Sequence, residues 1–325
     1  MAVTLQKDYE MRYVELGNTG LEVSRLCFGA LIIGPLQSNL SVDKGAEVIL
    51  EAFRLGVNFI DTAELYGTYP HIRKAISLFG QKPVIASKSY AYSEAAAKES
   101  LELARKSLDV DVMDIFLLHE QESRLTLRGH REALEYYLAE KQKGRIRAVG
   151  VSTHNIEVVE ACSEMPEIDI IHPIVNRTGI GIGDGSVESM LAAVKKAYEK
   201  GKGIYSMKPL GGGNLLGSYA ESMSFALGQP HVHSIAVGMQ SVEEVIMNVH
   251  LFEGKDIPRE ILSAIGKKEK GLHIDYWCSA CGRCVSRCSQ KALAIKNGKV
   301  RVDRKKCVLC GYCGSICPQF AIKIC

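Results

Sequence analysis

From Arg12 to Phe252 the chain alternates short apolar, β-branched runs with longer stretches whose apolar residues recur at helical spacing. The first two runs, "RYVELG" and "LEVSRLCFG", are split by "NTG", a turn signal that predicts a β-hairpin. Strand-like runs follow at Leu26–Phe28, Val57–Ile60, Val84–Ala86, Asp114–Leu118, Ile146–Val151, Ile168–Val175, Gly203–Met207 and Ser234–Val237. Between them lie helical stretches at Asp43–Leu55, His71–Phe79, Ser93–Leu108, Arg128–Lys141, Ile156–Cys162, Val187–Lys200, Tyr219–Ala226 and Val242–Leu251. In the first helix Ala46, Ile49, Leu50 and Phe53 share one face, and Asp43 sits near the positive end of the dipole.

Eight strands and eight helices in strict alternation predict a closed (β/α)8 TIM barrel with an N-terminal hairpin. The strands are continuous apolar runs, as expected when both faces are covered. An open doubly wound sheet is the alternative, but no G-x-G-x-x-G turn follows the first strand. The run "GIGIGDG" at 179–185 follows the sixth strand and reads as a flexible loop.

Three consecutive strands end in an ionisable residue: Asp61 after "VNFI", Lys88 after "VIAS" and His119 after "DIFLL", with Tyr66 in the loop beyond the first of these. Each has a bland reading as a turn cap, a snorkelling lysine or a satisfied core histidine. Together they are harder to dismiss, because such groups are costly to bury unpaired and chemistry in this fold gathers at the C-terminal strand ends.

These residues, with "RYVELGNTGLEVSRLCFGA", resemble the aldo-keto reductase family over about residues 12–252. The resemblance implies hydride transfer between a nicotinamide cofactor, NAD(H) or NADP(H), and a small carbonyl or alcohol substrate. Asp61, Tyr66, Lys88 and His119 match the family's catalytic positions, with Tyr66 as general acid. A Lys88 ammonium would lower the phenol's pKa, Asp61 would hold Lys88, and His119 would meet the substrate oxygen.

At the implied cofactor site the chain departs from the family. Ser152 is retained after the fifth strand, but Thr153 stands for asparagine, His172 for glutamine and Met207 for the stacking aromatic. Tyr205 should share the face of Met207. Lys208 and Gly211–Gly213 offer a cation and backbone amides to a phosphate. Asn248 matches the adenine-contacting asparagine. Gly238 and Glu244 stand where selectivity for the 2′-phosphate needs Lys and Arg, so NADPH is not expected to be preferred over NADH.

Composition adds a second module. Of 11 cysteines in 325 residues, eight lie between Cys278 and Cys317, while Cys27, Cys162 and Cys325 stand alone. Both cysteine runs read C-x2-C-x2-C-x3-C, the pattern of bacterial two-cluster ferredoxins, whose fourth cysteines are exchanged between clusters. That pattern implies two [4Fe–4S] clusters, one on Cys278, Cys281, Cys284 and Cys317, the other on Cys307, Cys310, Cys313 and Cys288. Zinc is the competing reading, and it favours paired C-x2-C knuckles.

The expected organisation is a barrel over 1–252, a connecting segment over 253–276 in which "IPREILSAIGKK" forms a helix, and a ferredoxin-like α+β domain over 277–325. With 46% hydrophobic residues, a net charge of +3 and no apolar stretch of membrane length, a soluble cytoplasmic protein is expected, with nucleic acid a poor partner. The "MAVTLQKDYEMRYVEL" stretch lacks a signal-peptide core. Single-electron clusters and hydride chemistry are joined by a flavin in many enzymes, so a flavin is a further candidate cofactor, and an external ferredoxin or other one-electron carrier a candidate partner. Two other classes stay open: an electron-carrying or regulatory subunit with the barrel as docking scaffold, and clusters that only stabilise the tail.

Overall fold

The computed structural model describes residues 11–266 and 270–324; the stretch 1–10, part of the "KKEK" run and Cys325 lie outside the described residues. Eight parallel strands close a barrel in chain order: Leu26–Gly29, Phe59–Asp61, Val84–Ser89, Met113–Gln121, Ile146–Thr153, Ile170–Pro173, Gly203–Met207 and Ser234–Gly238, the last pairing with the first. Each is preceded or followed by a helix that covers its outer face. Serines 41, 93, 123, 186 and 241 cap five of these helices, each accepting a backbone N–H of the first turn. The stretch expected as one helix over 128–141 is two, Arg124–Gly129 and Arg131–Gln142. Gly129 and the Ser123–Thr126 capping box set off a separate short helix there.

Two apolar layers hold the barrel. One lies between strands and helices; the other fills the interior with Cys27, Phe59, Ala86, Ile115, Leu117, Ala148, Ile170, Tyr205 and Ala236. The hairpin Tyr13–Glu15 and Glu22–Ser24 adds Leu16, Leu21 and Val23 to that interior layer, and Asn18 N–H donates to Gly201 O at 2.9 Å. It plugs the N-terminal end, so the opposite end is the open one.

Over that open end lies the C-terminal module. Its halves repeat one motif: strand Leu272–Ile274, helix Arg283–Arg287 and strand Leu293–Lys296, then strand Lys299–Val302, helix Tyr312–Ser315 and strand Ile322–Ile324. The outer strands pair antiparallel with each other, as do the inner ones. The first strand falls in what the sequence marks as a connecting segment. The helix expected there is present as Arg259–Gly266. No helix among the described residues is long and apolar enough to cross a membrane.

Candidate active site

Asp61 closes the second barrel strand, and Tyr66 follows on a short 3-10 turn that Gly67 ends at φ 65°. Lys88 lies on the third strand and His119 on the fourth. The structure brings all four together. Lys88 Nζ donates to Asp61 Oδ2 at 2.8 Å and to Thr62 O at 2.8 Å, and lies 2.7 Å from Asp61 Oδ1. The same ammonium is 5.0 Å from the centre of the Tyr66 ring, and Tyr66 Oη is 3.4 Å from His119 Nε2. Burial pushes the Asp61 carboxyl up, but the charge of Lys88 and the hydrogen bonds of Lys88 and Tyr205 outweigh it and hold the group ionised.

The expected acidification of Tyr66 is corrected by this geometry. Its phenol is raised well above the ordinary value, by burial first and then by Asp61, Glu120 and Tyr90. The chief reason is that the fold takes the phenol out of water, and the neighbouring negative charge of Asp61 adds to the cost of ionising it. His119 is driven down to about 3, chiefly by burial, and is a neutral ring at physiological pH. Its Nδ1 is buried without a hydrogen-bond partner.

Two residues join this group from the far side of the barrel. Tyr205 Oη donates to Asp61 Oδ1 at 2.9 Å. Its ring stacks on His172 with centroids 3.8 Å apart, and His172 Nδ1 donates to Tyr205 O at 2.6 Å. With its Nδ1 proton so used, the neutral imidazole presents an Nε2 lone pair 3.7 Å from Asp61. Burial lowers His172 to about 4. Tyr205 therefore does not act as a spare stacking ring beside Met207; it braces the carboxylate one layer below. The signal was its two-residue spacing from Met207, which put it on the inward face without showing its partner.

Around the rim, sequence reasoning missed Tyr90 and Glu120. Tyr90 stacks on His119 at 4.4 Å and donates to the Glu120 carboxylate. Glu120 sits at φ 46° in a bulge of the fourth strand, a backbone state that turns its side chain toward the mouth. Lys208 Nζ lies 2.7 Å from His154 Nε2 and 4.0 Å from Glu120. Burial brings this lysine down to about 7.

A cleft of about 370 Å³ runs from Asp61 and Tyr66 past the seventh and eighth strands to the helix Val242–Phe252. Of the expected cofactor positions, His172, Met207, Lys208, Gly238, Glu244 and Asn248 line it. Ser152, Thr153 and Gly211 do not. The Ser152 hydroxyl accepts Glu120 N–H at 2.8 Å and Thr153 donates to Gln121 O at 2.7 Å, so both brace the bulge. Glu244 is held by Gln240 N–H at 2.9 Å, and Asn248 by Tyr219 Oη at 2.9 Å and Glu244 O at 2.7 Å.

Of the glycine loop, Gly212 and Gly213 line the cleft with Lys208, and the loop also has a second contact. Gly211, Gly212 and Gly213 all have positive φ. Ile324 N–H donates to Gly212 O at 3.0 Å, and a Cβ on Gly213 would fall 1.9 Å from Ile324 O. These glycines admit the C-terminal strand at contact distance. Gly181 does the same for Phe320, whose ring lies 3.6 Å from Lys323 Nζ and 4.8 Å from Lys208 Nζ. Lys323, paired with Asp275 at 3.3 Å, and Ile324 complete the cleft wall. The tail is thus part of the site.

The cysteines fall into two sets. Cys284 feels Cys278, Cys317 and Cys281 as its charged neighbours, and Cys313 feels Cys307 and Cys310. Cys288, Cys307, Cys310 and Cys313 line one small cavity. The fourth cysteine of each run thus lies with the other run's triplet. Cys288 and Cys317 Sγ each accept the N–H four residues on, from Ala292 and Ala321, at 3.3 Å. Such bonds favour thiolate. Among the described residues no three His, Cys, Asp or Glu side chains converge on a point fit for a single metal ion. Eight cysteines in two crossed fours suit two thiolate-held clusters.

Residues 25–234 match the model of the Aldo/keto reductase family, and residues 272–318 match the 4Fe-4S dicluster domain. The L-galactose dehydrogenase of Arabidopsis thaliana is 26% identical over 72% of this chain and 86% of its own. An aldo-keto reductase of Bacillus subtilis is 28% identical over 51% of this chain and 54% of its own. A solved aldo-keto reductase from Bacillus halodurans shares the fold, with a TM-score of 0.64 at 22% identity over 79% of this chain and 96% of that one.

Proposed function

The chain belongs to the aldo/keto reductase family, and from that premise we propose that it is an oxidoreductase that reduces a carbonyl, or oxidises the matching alcohol, at Tyr66. The single observation that carries this reading is the convergence of Tyr66 on His119 at 3.4 Å beside the buried Lys88–Asp61 pair. A nicotinamide dinucleotide in the cleft would supply the hydride. His172, Met207, Gly238, Glu244 and Asn248 would hold it, with Met207 against the reacting ring.

The chain's own residues handle the proton. A raised phenol pKa keeps Tyr66 protonated and ready to donate to a carbonyl oxygen as negative charge develops there. The neutral His119 offers one ring proton to the same oxygen. Lys88, fixed on Asp61 and Thr62 O, offsets the phenolate that remains. In the oxidative direction the steps reverse. The carboxylate of Glu244, fixed by Gln240 N–H, faces the nucleotide end and disfavours a 2′-phosphate there, so NADPH is not preferred over NADH.

Two [4Fe–4S] clusters on the crossed cysteine sets would link this chemistry to single-electron transfer. Lys323, which lines the cleft, feels the charges of both Cys317 and Glu120, and this supports a link between the Cys317 set and the barrel mouth. Nothing in the cleft argues specifically for a flavin.

The test is Tyr66→Phe in anaerobically purified protein. Carbonyl reduction by reduced nicotinamide should fall by about 10²–10⁴-fold with the iron content unchanged. Unchanged turnover would instead favour an electron-carrying or regulatory subunit.

A further inference from the structure

Resting on the reading of residues 277–325 as an electron-transfer module, we propose that the face around Cys288, Cys307, Cys310 and Cys313 docks an acidic one-electron carrier protein. Residues 283–306 contain nine Lys and Arg against one Asp, a local net charge of +8 in a chain whose total is +3. The positive charge of the molecule is therefore gathered on this one hairpin and its flanks, and the remainder of the chain is net acidic. Lys291, Lys296, Lys299, Arg301, Arg304 and Lys305 are all exposed.

A second, independent feature shows what such a collar serves. Cys310 is exposed, at the rim of the small cavity its set lines. Apolar side chains stand open beside it: Val308 is 63% and Tyr312 57% exposed. An apolar centre ringed by charge is the anatomy of a transient protein interface. A cluster held by four thiolates is itself anionic, so two carriers meeting cluster to cluster repel unless one of them surrounds its own with cations. A nucleic acid or an anionic lipid surface would use the cations but would gain nothing from an exposed thiolate centre.

The experiment uses the full-length protein, purified anaerobically with its iron. An acidic bacterial two-cluster ferredoxin serves as probe, and binding is measured at about 50 and 300 mM salt. The wild type should bind at low salt and weaken steeply at high salt. The triple variant Lys296→Glu/Arg301→Glu/Lys305→Glu should bind roughly tenfold or more weakly at low salt, with a flattened salt dependence and unchanged iron content. The barrel-surface control Lys98→Glu/Lys195→Glu/Lys196→Glu should stay within about twofold of wild type. Equal effects of the two triples, no binding by the wild type, or tighter binding to a DNA oligonucleotide or phosphatidylserine vesicles than to the ferredoxin would each overturn the proposal. Carbonyl turnover with reduced nicotinamide, run on the same samples, separates a failure at the barrel from a failure at this surface.

Discussion

Tyr205 Oη donates to Asp61 Oδ1 across 2.9 Å of barrel interior, from the seventh strand to the second. The contact makes the carboxylate a three-sided node, shared by Lys88, Tyr205 and the nearby edge of His172. Asp61 is thereby held ionised although it is buried, and the position of Lys88 depends on it.

Tyr205→Phe should therefore cost stability of about 1.5–3 kcal/mol, the range for a buried hydrogen bond to a charged group. Because the hydroxyl helps lower the Asp61 carboxyl, its loss should move the acid limb of the activity profile to higher pH. Turnover should fall several-fold while KM for the carbonyl changes little, since the residue does not reach the cleft's substrate end. Rate profiles against pH for the two proteins check this; superimposable acid limbs would leave Tyr205 a packing residue.

Gly213→Ala should dislodge the C-terminal strand. The residue sits at φ 83°, and the added methyl would meet Ile324 O at 1.9 Å, a backbone atom that cannot rotate away. Faster amide exchange over residues 318–324 and a loss of more than about 1 kcal/mol are expected. Gly217→Ala, with open space around the new methyl, should behave as wild type.

The crossing of fourth ligands predicts a pattern in iron content. Cys288→Ser should lower it from roughly eight to roughly four irons per chain. Adding Cys307→Ser should take away nothing more, because both serve one set. Adding Cys278→Ser instead should remove nearly all of it. Iron assay and electron paramagnetic resonance of reduced samples distinguish this from uncrossed sets, for which the two doubles would exchange results.

Acid should weaken the fold well before carboxylates titrate. Burial depresses His119 to about 3, His172 to about 4 and His154 well below its ordinary value. Between those values and the ordinary ~6.5, the unfolded chain binds protons that the folded chain does not, so stability rises with pH in this window. Each such histidine can remove at most about 2 kcal/mol at pH 5 relative to pH 7. The melting temperature should drop over that interval, and His172→Gln should shrink the drop. An equal drop in the variant would place the effect elsewhere.

Much of this molecule was written locally along the chain. Alternating apolar runs and helical faces marked the eight barrel strands and the helices between them, apart from the expected helix that is two, because each element had to bury one side against the next. The ionisable ends at Asp61, Lys88 and His119 were visible because polarity interrupts an apolar run there. The cysteine triplets were visible because cluster ligation imposes its own spacing. What only the tertiary structure decided were contacts between distant segments. Tyr205 found Asp61 across 144 residues because barrel closure sets the seventh strand opposite the second. Gly211–Gly213 and Lys208 looked like a phosphate site, a local inference from glycine and charge. The tertiary structure adds that the loop also seats Phe320, Lys323 and Ile324 of the tail, and that Lys208 lies beside His154 at the cleft. The Tyr66 phenol went up rather than down because folding buries it beside Asp61 and Glu120, and no spacing along the chain records that.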